Sequence, residues 1–391
     1  MPVLNRIAEF APEMAEWRQD LHANPELGFE ETRTSGIVAA KLAEWGIEVH
    51  RGIAKTGLVG VLRNGDSGRS IGLRADMDCL PMEENNGFAH RSTVPGKMHA
   101  CGHDGHTATL LGAAKYLAET RNFDGTVHFI FQPAEEGGGG GKVMVDEGLF
   151  RRFPCDAVYG LHNDPAIPLG EAAVVAGTVL AASDRVGITV RGKGGHAARP
   201  HVAIDPVLVG SQVVVALQAL VSRRTDPLDS SVISITQFHA GSAGNVIPET
   251  AELYGTVRTL RPETQDMMER LITQVAQNTA AAHDAEAAVR YVRGYPPTVN
   301  HAAQTERAAL AAARVLGQER VLRDRPPVMG GEDFSFMLLE RPGCFVKVGQ
   351  RGRDGRGGVS LHNPGYDFND EMAPVGASFF AALVEQELPR G

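Results

Sequence analysis

MHACGHDGHTATLLGAAKYL, Met98 to Leu117, is the stretch on which the rest of the chain hangs. Its first nine residues hold His99, His103 and His106 together with Cys101 and Asp104. Imidazole and thiolate are the side chains that best bind borderline cations such as Zn²⁺, so the segment reads as half of a metal site. Gly102 and Gly105 let the backbone fold tightly. Cys101 and His103 are two apart and cannot share a helix face, so extended or turn backbone is expected to present them. From His106 onward the spacing is helical, with Asp104 or Thr107 near the helix N-terminus.

Working outward, Leu58–Leu62 and Ile71–Leu73 read as strands, the second running into RADMDCL. Asp76 and Asp78 then lie at a strand's carboxyl end, where open α/β sheets keep their chemistry, although a solvated turn would look the same. Downstream, Val127–Phe131 is a β-rich run leading to AEEGGGGG, in which Glu135 and Glu136 point different ways. No Gly-Lys-Ser/Thr follows the glycines, which removes a phosphate cradle and leaves a catalytic turn or a flexible solvated loop. Val158–Leu161 is a further strand, ending on His162. Before all of these, Ala11–Ala23 and Arg33–Trp45 have helical spacing, separated by NPELGFEE.

At 391 residues the chain exceeds the usual span of one core, so two domains are expected. From about residue 183 the pattern changes to strand Arg185–Arg191, helix Pro206–Val221, strands Val232–Phe238 and Glu249–Leu260, helix Glu263–His283 and strand Ala287–Arg293. That β-α-β-β-α-β order is complete in itself and is the ferredoxin-like arrangement. It reads as an insertion over 183–296, leaving 1–182 and 297–391 as one discontinuous domain to which His362 returns late. The fold class is therefore α/β, a mixed sheet flanked by helices plus the inserted unit. No period of 20 to 50 residues repeats, and RGRDGRGG near Arg351 is expected to be a mobile surface loop.

Composition narrows the partners. With 43% hydrophobic residues, 22% charged and a net charge of -9, nucleic acid is not an expected partner. MPVLNRIAEF carries no apolar core with a cleavage site, and the most apolar stretch, VVVALQALV from Val213, is broken by Gln218 and too short to cross a bilayer, so no membrane partner is expected. Four cysteines in so long a chain fit a reducing compartment, and a cytoplasmic location is the expectation.

The motifs MHACGHDGH, FQPAEEGGGG, GLHN, GKGGHAARP, GNVIPE, GGEDF and LHNPGYDF occur in an order that resembles the M20 metallopeptidase family, in its aminoacylase-like amidohydrolase branch, over nearly the whole chain. The resemblance implies hydrolysis of N-acyl amino acid amides by a catalytic domain holding two divalent ions per subunit (Zn, Mn, Co or Ni). It implies that Cys101, His103, Glu136, His162 and His362 bind the metals and that Glu135 is the general base. The insertion becomes a lid that also mediates dimerisation, with a tetramer as the alternative assembly. Arg74 departs from the wider family, many members of which carry a ligand histidine there, and this leaves open the part of Asp76, which is grouped with the catalytic residues.

The chemistry also stands on general grounds. A metal pair about 3.5 to 4 Å apart holds a hydroxide and polarises a carbonyl, while a spare carboxylate carries the proton to the leaving nitrogen. His196, on a glycine-rich loop, is expected to assist in the active site of the opposite subunit by hydrogen bonding to the oxyanion. Asn245 and Arg258 are candidates for the substrate carboxylate, a surface ion pair being the alternative for Arg258. His106 and Asp104 would orient the metal ligands or cap the helix. His22, His50, His90, His128, His201, His239, His283 and His301 read as structural or exposed, and His99 lies between the two classes. Three other functions compete: a zinc aminopeptidase or dipeptidase, a non-catalytic metal scaffold, and a thiol hydrolase with Cys101 as nucleophile.

Overall fold

In the computed structural model residues 3–391 are described, so the first two residues of MPVLNRIAEF lie outside it. In chain order the chain forms α1 (Asn5–Ala23), α2 (Thr32–Glu44), β1 (Glu48–Ile53), β2 (Gly57–Asn64), β3 (Ser70–Asp76), α3 (His103–Thr120) and β4 (Gly125–Gln132). There follow α4 (Gly140–Asp146), α5 (Leu149–Arg152), β5 (Ala157–Pro168), β6 (Ala172–Ala173), β7 (Gly177–Leu180), β8 (Ala182–Arg191) and β9 (Gly195–His196). Next are α6 (Pro206–Arg223), β10 (Ser231–Ala240), β11 (Val246–Ile247), β12 (Thr250–Thr259), α7 (Pro262–Ala281), β13 (Glu286–Tyr295) and β14 (Thr298–Asn300). The last are α8 (Ala302–Leu316), β15 (Val321–Leu322), α9 (Phe334–Glu340), β16 (Gly343–Arg351) and α10 (Met372–Glu387).

Two compact units share this chain. The first comprises Met1–Gly177, Val299–Pro326 and Asp333–Gly391, the second Thr178–Thr298 and Pro327–Glu332. These limits differ from the 183–296 insertion drawn from the sequence. The segment 327–332 joins the second unit because Val328 forms a bridge with Leu180 and its N–H donates to Val179 O at 3.1 Å. Nothing in the local sequence marks that return.

The first unit is built on an eight-stranded mixed sheet in the order β1-β2-β4-β3-β5-β16-β6-β15. Its inner strands β3, β4, β5 and β16 run parallel, while β2 is antiparallel to β4. Strands buried on both faces read as continuous apolar runs, and β2 and β4 do so with Leu58, Val59, Val61, Val127, Phe129 and Phe131. Helices α1, α3, α8 and α10 supply Met14, Leu110, Leu111, Ala312, Phe380 and Leu383 to the same core. Strand β1 escaped sequence detection because EVHRGI is mostly exposed and does not alternate. Strand β5 does not stop at His162: Lys347 pairs with His162 and the ladder with β16 continues to Pro168.

The second unit carries a four-stranded antiparallel sheet, β10-β12-β8-β13, with α6 and α7 covering one face. Val186, Ile188 and Val190 of β8 alternate inward against Val213 and Leu217 of α6 and Met268 and Ile272 of α7. Helix α6, at 18 residues, is long and apolar enough by composition to cross a membrane, which the shorter stretch read from the sequence was not. In this unit it instead packs Val209, Val213, Leu217 and Leu220 on the sheet and leaves Val207, Leu208 and Val215 exposed.

Candidate metal centre

The Cys101–His103 turn is made by Gly102, whose φ of +93° is left-handed. A side chain there would meet Asn163 Oδ1 and Tyr366 Oη at 2.6 Å, so only glycine allows the turn to seat. His103 is then the first residue of α3, one turn earlier than the helical spacing predicted. Its Nδ1 lies 3.2 Å from Asp78 Oδ1, while its Nε2 is buried with no hydrogen-bond partner. Cys101 Sγ is 3.4 Å from His162 Nε2. The potential ligand atoms of Cys101, His103 and His162 all lie within 4.8 Å of one another, as do those of Cys101, Glu136 and His362, and of His103, Glu135 and Glu136. The five residues expected to bind metal thus fall into overlapping groups within the first unit, and Glu135 joins them.

His362 reaches the cluster from the far end of the chain on a left-handed backbone, φ +60°, with its N–H donating to Ala100 O at 2.8 Å. Its Nε2 stands 3.2 Å from Glu136 Oε1, which raises its pKa. That oxygen is buried and has no further partner. Burial pushes the Cys101 thiol well up, and the charge on Glu136 adds to it. A thiol hydrolase would leave Glu135, Glu136 and His362, which gather with Cys101 and His103, without a task. Burial also pushes His162 well down, leaving a neutral imidazole. The sulfur of Cys101, the neutral imidazole of His162, and the buried, unpartnered Nε2 of His103 beside the carboxylates of Glu135 and Glu136 form a donor set that fits a divalent cation.

Behind the donors stands a layer of supports. His106 is fully engaged, Nδ1 with Asp76 Oδ1 at 2.6 Å and Nε2 with Asn163 Oδ1 at 2.7 Å, so it orients its neighbours and offers no free nitrogen. Asp76 is 0% exposed. Burial alone would raise its pKa, but Arg74, which donates to Asp76 Oδ2 at 2.7 Å, and the two histidines hold it well below the carboxylate range. Asp76 is thus placed to position His106, and its Oδ2 also lies 3.7 Å from Nε2 of His103. Arg74, itself fully buried, also donates to Gln132 Oε1 at 2.8 Å and to Asp333 Oδ1 at 3.1 Å. Asp78 and Asn163 were not singled out as supports in the sequence. Asp104 caps no helix: it accepts from His22 Nδ1 at 2.7 Å, buried.

Of the glycines 137–141, Gly140 and Gly141 are buried and close-packed while Gly137 and Gly138 are exposed, so only the second half of the run departs from the flexible solvated loop that the sequence left open. A Cβ on Gly140 would sit 1.7 Å from Pro133 O, and one on Gly141 would meet Asp333 O at 2.9 Å. The absent side chains let the start of α4 close over the end of β4, where Glu135 is 7% exposed.

In the second unit His196 and Asn245 are brought together. His196 pairs with Val246 in the β9–β11 ribbon, and Ala197 N–H donates to Asn245 O at 3.0 Å. His196 and Asn245 are exposed. Arg258, on β12, is half-buried and donates to Val257 O at 3.1 Å. Among the described residues it forms no surface ion pair with a carboxylate, though Asp184 lies near enough to act on its charge.

Residues 72–386 match the model of peptidase family M20/M25/M40. The chain belongs to this family. Among its M20 relatives, hippurate hydrolase of Campylobacter jejuni is 41% identical over 98% of this chain and 98% of its own length. IAA-amino acid hydrolase ILR1-like 2 of Arabidopsis thaliana is 41% identical over 99% of this chain and 89% of its own. N-acetylcysteine deacetylase of Bacillus subtilis is 37% identical over 96% of each. In structure the chain is similar to the Bacillus subtilis YXEP protein, a dinuclear metal binding peptidase of the M20 family, with TM-score 0.84, 33% identity and coverage of 96% and 98%.

Proposed function

We propose that this M20 protein hydrolyses the amide bond of N-acyl amino acids. The observation that carries the proposal is Glu135: a buried carboxylate grouped with His103 and Glu136, additional to the atoms needed to hold a cation. The relatives act on hippurate, on indoleacetyl amino acids and on N-acetylcysteine, which share an acylated amino acid. Two divalent ions would be held by Cys101, His103, Glu136, His162 and His362. When bound, such ions supply Lewis acidity toward the carbonyl and acidify the attacking water.

The chain's own residues do the rest. Glu135 takes the proton from the attacking water and returns it to the leaving nitrogen, a contribution of roughly 10² to 10⁴ in rate. Asp78, on His103 Nδ1, turns that ring's Nε2 toward the cluster, the usual carboxylate–histidine support of a metal ligand. His196 donates to the oxyanion, and Asn245 and Arg258 hold the substrate carboxylate.

The second unit is proposed as a ferredoxin-like lid through which a homodimer forms, placing His196 in the neighbouring subunit's site. Two features support this: β10 and β13 are the edge strands of its sheet, and α6 leaves Val207, Leu208 and Val215 exposed. Zn, Mn, Co or Ni are the candidate ions, and the cytoplasm is the compartment that the sequence composition favours.

The test is a panel of N-acyl amino acids, their methyl esters and free dipeptides, assayed with Zn²⁺, Mn²⁺, Co²⁺ and Ni²⁺ supplied separately and after a strong chelator. Turnover confined to metal-loaded protein and to N-acylated free acids is expected. Preference for free dipeptides would make the enzyme an aminopeptidase, and turnover that survives chelation would remove the metal from the mechanism.

A further inference from the structure

Glu31 belongs to the NPELGFEE segment, which the catalytic scheme leaves without a task. It occupies the N-cap position of α2, yet its side chain makes no capping bond. The carboxyl turns inward instead and is 0% exposed. Oε1 accepts from the backbone N–H of Ala134 at 2.8 Å, and Oε2 accepts from the Thr56 hydroxyl.

Ala134 is the residue before Glu135, and its φ is +53°. A left-handed backbone costs a residue with a Cβ roughly 1–2 kcal/mol, so something must hold it there. Packing confines it: ideal Cβ positions on Gly28 and Gly138 fall 2.9 and 2.7 Å from Ala134 Cβ, which explains glycine at both places. Hydrogen bonds fix the direction of the turn. Glu31 holds the amide of Ala134, Asp78 Oδ2 accepts from the amide of Glu136 at 2.9 Å, and the Asp333 amide donates to Glu135 Oε1 at 3.4 Å. The strained residue itself is held by two contacts, the Gly140 N–H donating to Ala134 O at 3.0 Å and the Glu31 carboxyl, and of these only Glu31 is a side chain.

We infer that Glu31 is a positioning residue, whose carboxyl holds Ala134 in the left-handed conformation that aims Glu135 and Glu136 into the donor cluster. The turnover readout below rests on the proposed amidohydrolase function, whereas the metal readout does not. Removing the carboxyl lets the turn relax toward ordinary backbone and swings both glutamates away together. Glycine at 134 adopts positive φ without a Cβ penalty, so it should make the grip of Glu31 less necessary.

The experiment compares wild type, Glu31→Ala, Glu31→Gln and the double variant Glu31→Ala/Ala134→Gly. Two quantities are read: kcat and KM on an N-acyl amino acid, and affinity for Zn²⁺ and Mn²⁺ in competition with a chromogenic chelator. Glu31→Ala should lower kcat by about tenfold or more with KM changed by less than about threefold, and should weaken metal binding by about tenfold. Glu31→Gln keeps an acceptor for the amide and should restore most of both. The double variant should recover at least about a third of what Glu31→Ala loses, because the strain has been removed by another route. Wild-type values in Glu31→Ala, or a loss that Ala134→Gly does not return, would overturn the inference. If Glu31→Ala does not fold, Thr56→Val takes its place: it frees only the other oxygen, and a kcat loss of about threefold, again returned by Ala134→Gly, is expected. No loss there overturns the inference equally. Metal affinities that follow the prediction in a protein that cleaves no N-acyl amino acid would leave Glu31 in its role and refute the proposed function alone.

Discussion

Glu135 and Glu136 are chemically identical neighbours, and their surroundings divide their labour. Glu136 presents an oxygen to both Cys101 and His362, while Glu135 remains beside His103. Glu135→Gln is isosteric and should keep metal content and fold while kcat drops by roughly 10² to 10⁴, as loss of a general base requires. Turnover near wild type in metal-replete protein would exclude Glu135 as the base. Cys101→Ala should lose metal before it loses structure, because its sulfur is common to the group with His103 and His162 and the group with Glu136 and His362. Equilibrium dialysis that finds unchanged metal occupancy would end that assignment.

His22 gives a pH-dependent prediction at the same scale. Burial would lower its pKa, but the charge and hydrogen bond of Asp104 and the bond to Glu84 outweigh this and raise it to about 9, against some repulsion from Arg18. His90 and His99 face the same ring, and Phe88 packs at its edge. A raised folded-state value means that the stabilisation is complete below the unfolded value of about 6.5 and is lost as pH rises through about 9, an effect of roughly 3 kcal/mol. The fall in thermal midpoint between about pH 7 and pH 10 should shrink markedly in His22→Gln. An identical fall in both proteins would show that other groups cause it. The sequence placed His22 among ordinary histidines because its partner Asp104 is 82 residues away.

At the level of elements, the site depends on two helix starts that tolerate no Cβ, one after a long loop and one after a strand. Gly102 lets α3 begin at His103, and Gly140 lets α4 close on Pro133. Gly140→Ala would place an atom 1.7 Å from a backbone oxygen, so the end of β4 must shift. Overpacking of this kind costs roughly 1–3 kcal/mol, and here it should also cost turnover, because Glu135 rides on the displaced turn. Urea unfolding and kcat together test this, and an unchanged midpoint with full activity would mean that the turn is as loose as a solvated loop. Most elements were visible in the sequence as apolar periodicity, with ends misplaced by a few residues. Strand β1 was invisible because an exposed edge strand need not alternate, and β5 outran its apolar run because β16 supplied a ladder for the polar half.

At the scale of the whole molecule, the proposed dimer makes a prediction that no single chain can satisfy. If His196 works in the opposite subunit, mixing His196→Ala with Glu135→Gln under exchange conditions creates dimers with one doubly defective site and one intact site. Activity should then return toward about a quarter of wild type for random mixing, where each parent protein has little. No recovery after subunit exchange has been demonstrated by mass would place His196 in its own chain's site or outside catalysis.

The sequence by itself determined the α/β class and the interruption by a second sheet, and its resemblance to the M20 family pointed to Cys101, His103, Glu136, His162, His362 and Glu135, which the fold gathers into overlapping groups. These are legible because periodicity is local and because metal-binding side chains are few in kind and stand in short motifs. Only the tertiary structure decided what stands behind them: Asp78 on His103, Asp76 and Asn163 on His106, Arg74 tied to Asp333 across 259 residues, and Glu31 on the Ala134 amide across 103. It also decided that Pro327–Glu332 belongs with the second unit. The reason is physical: a ligand is named by its own chemistry, but a support is defined by burial and by a partner, and both come into being only when distant segments pack.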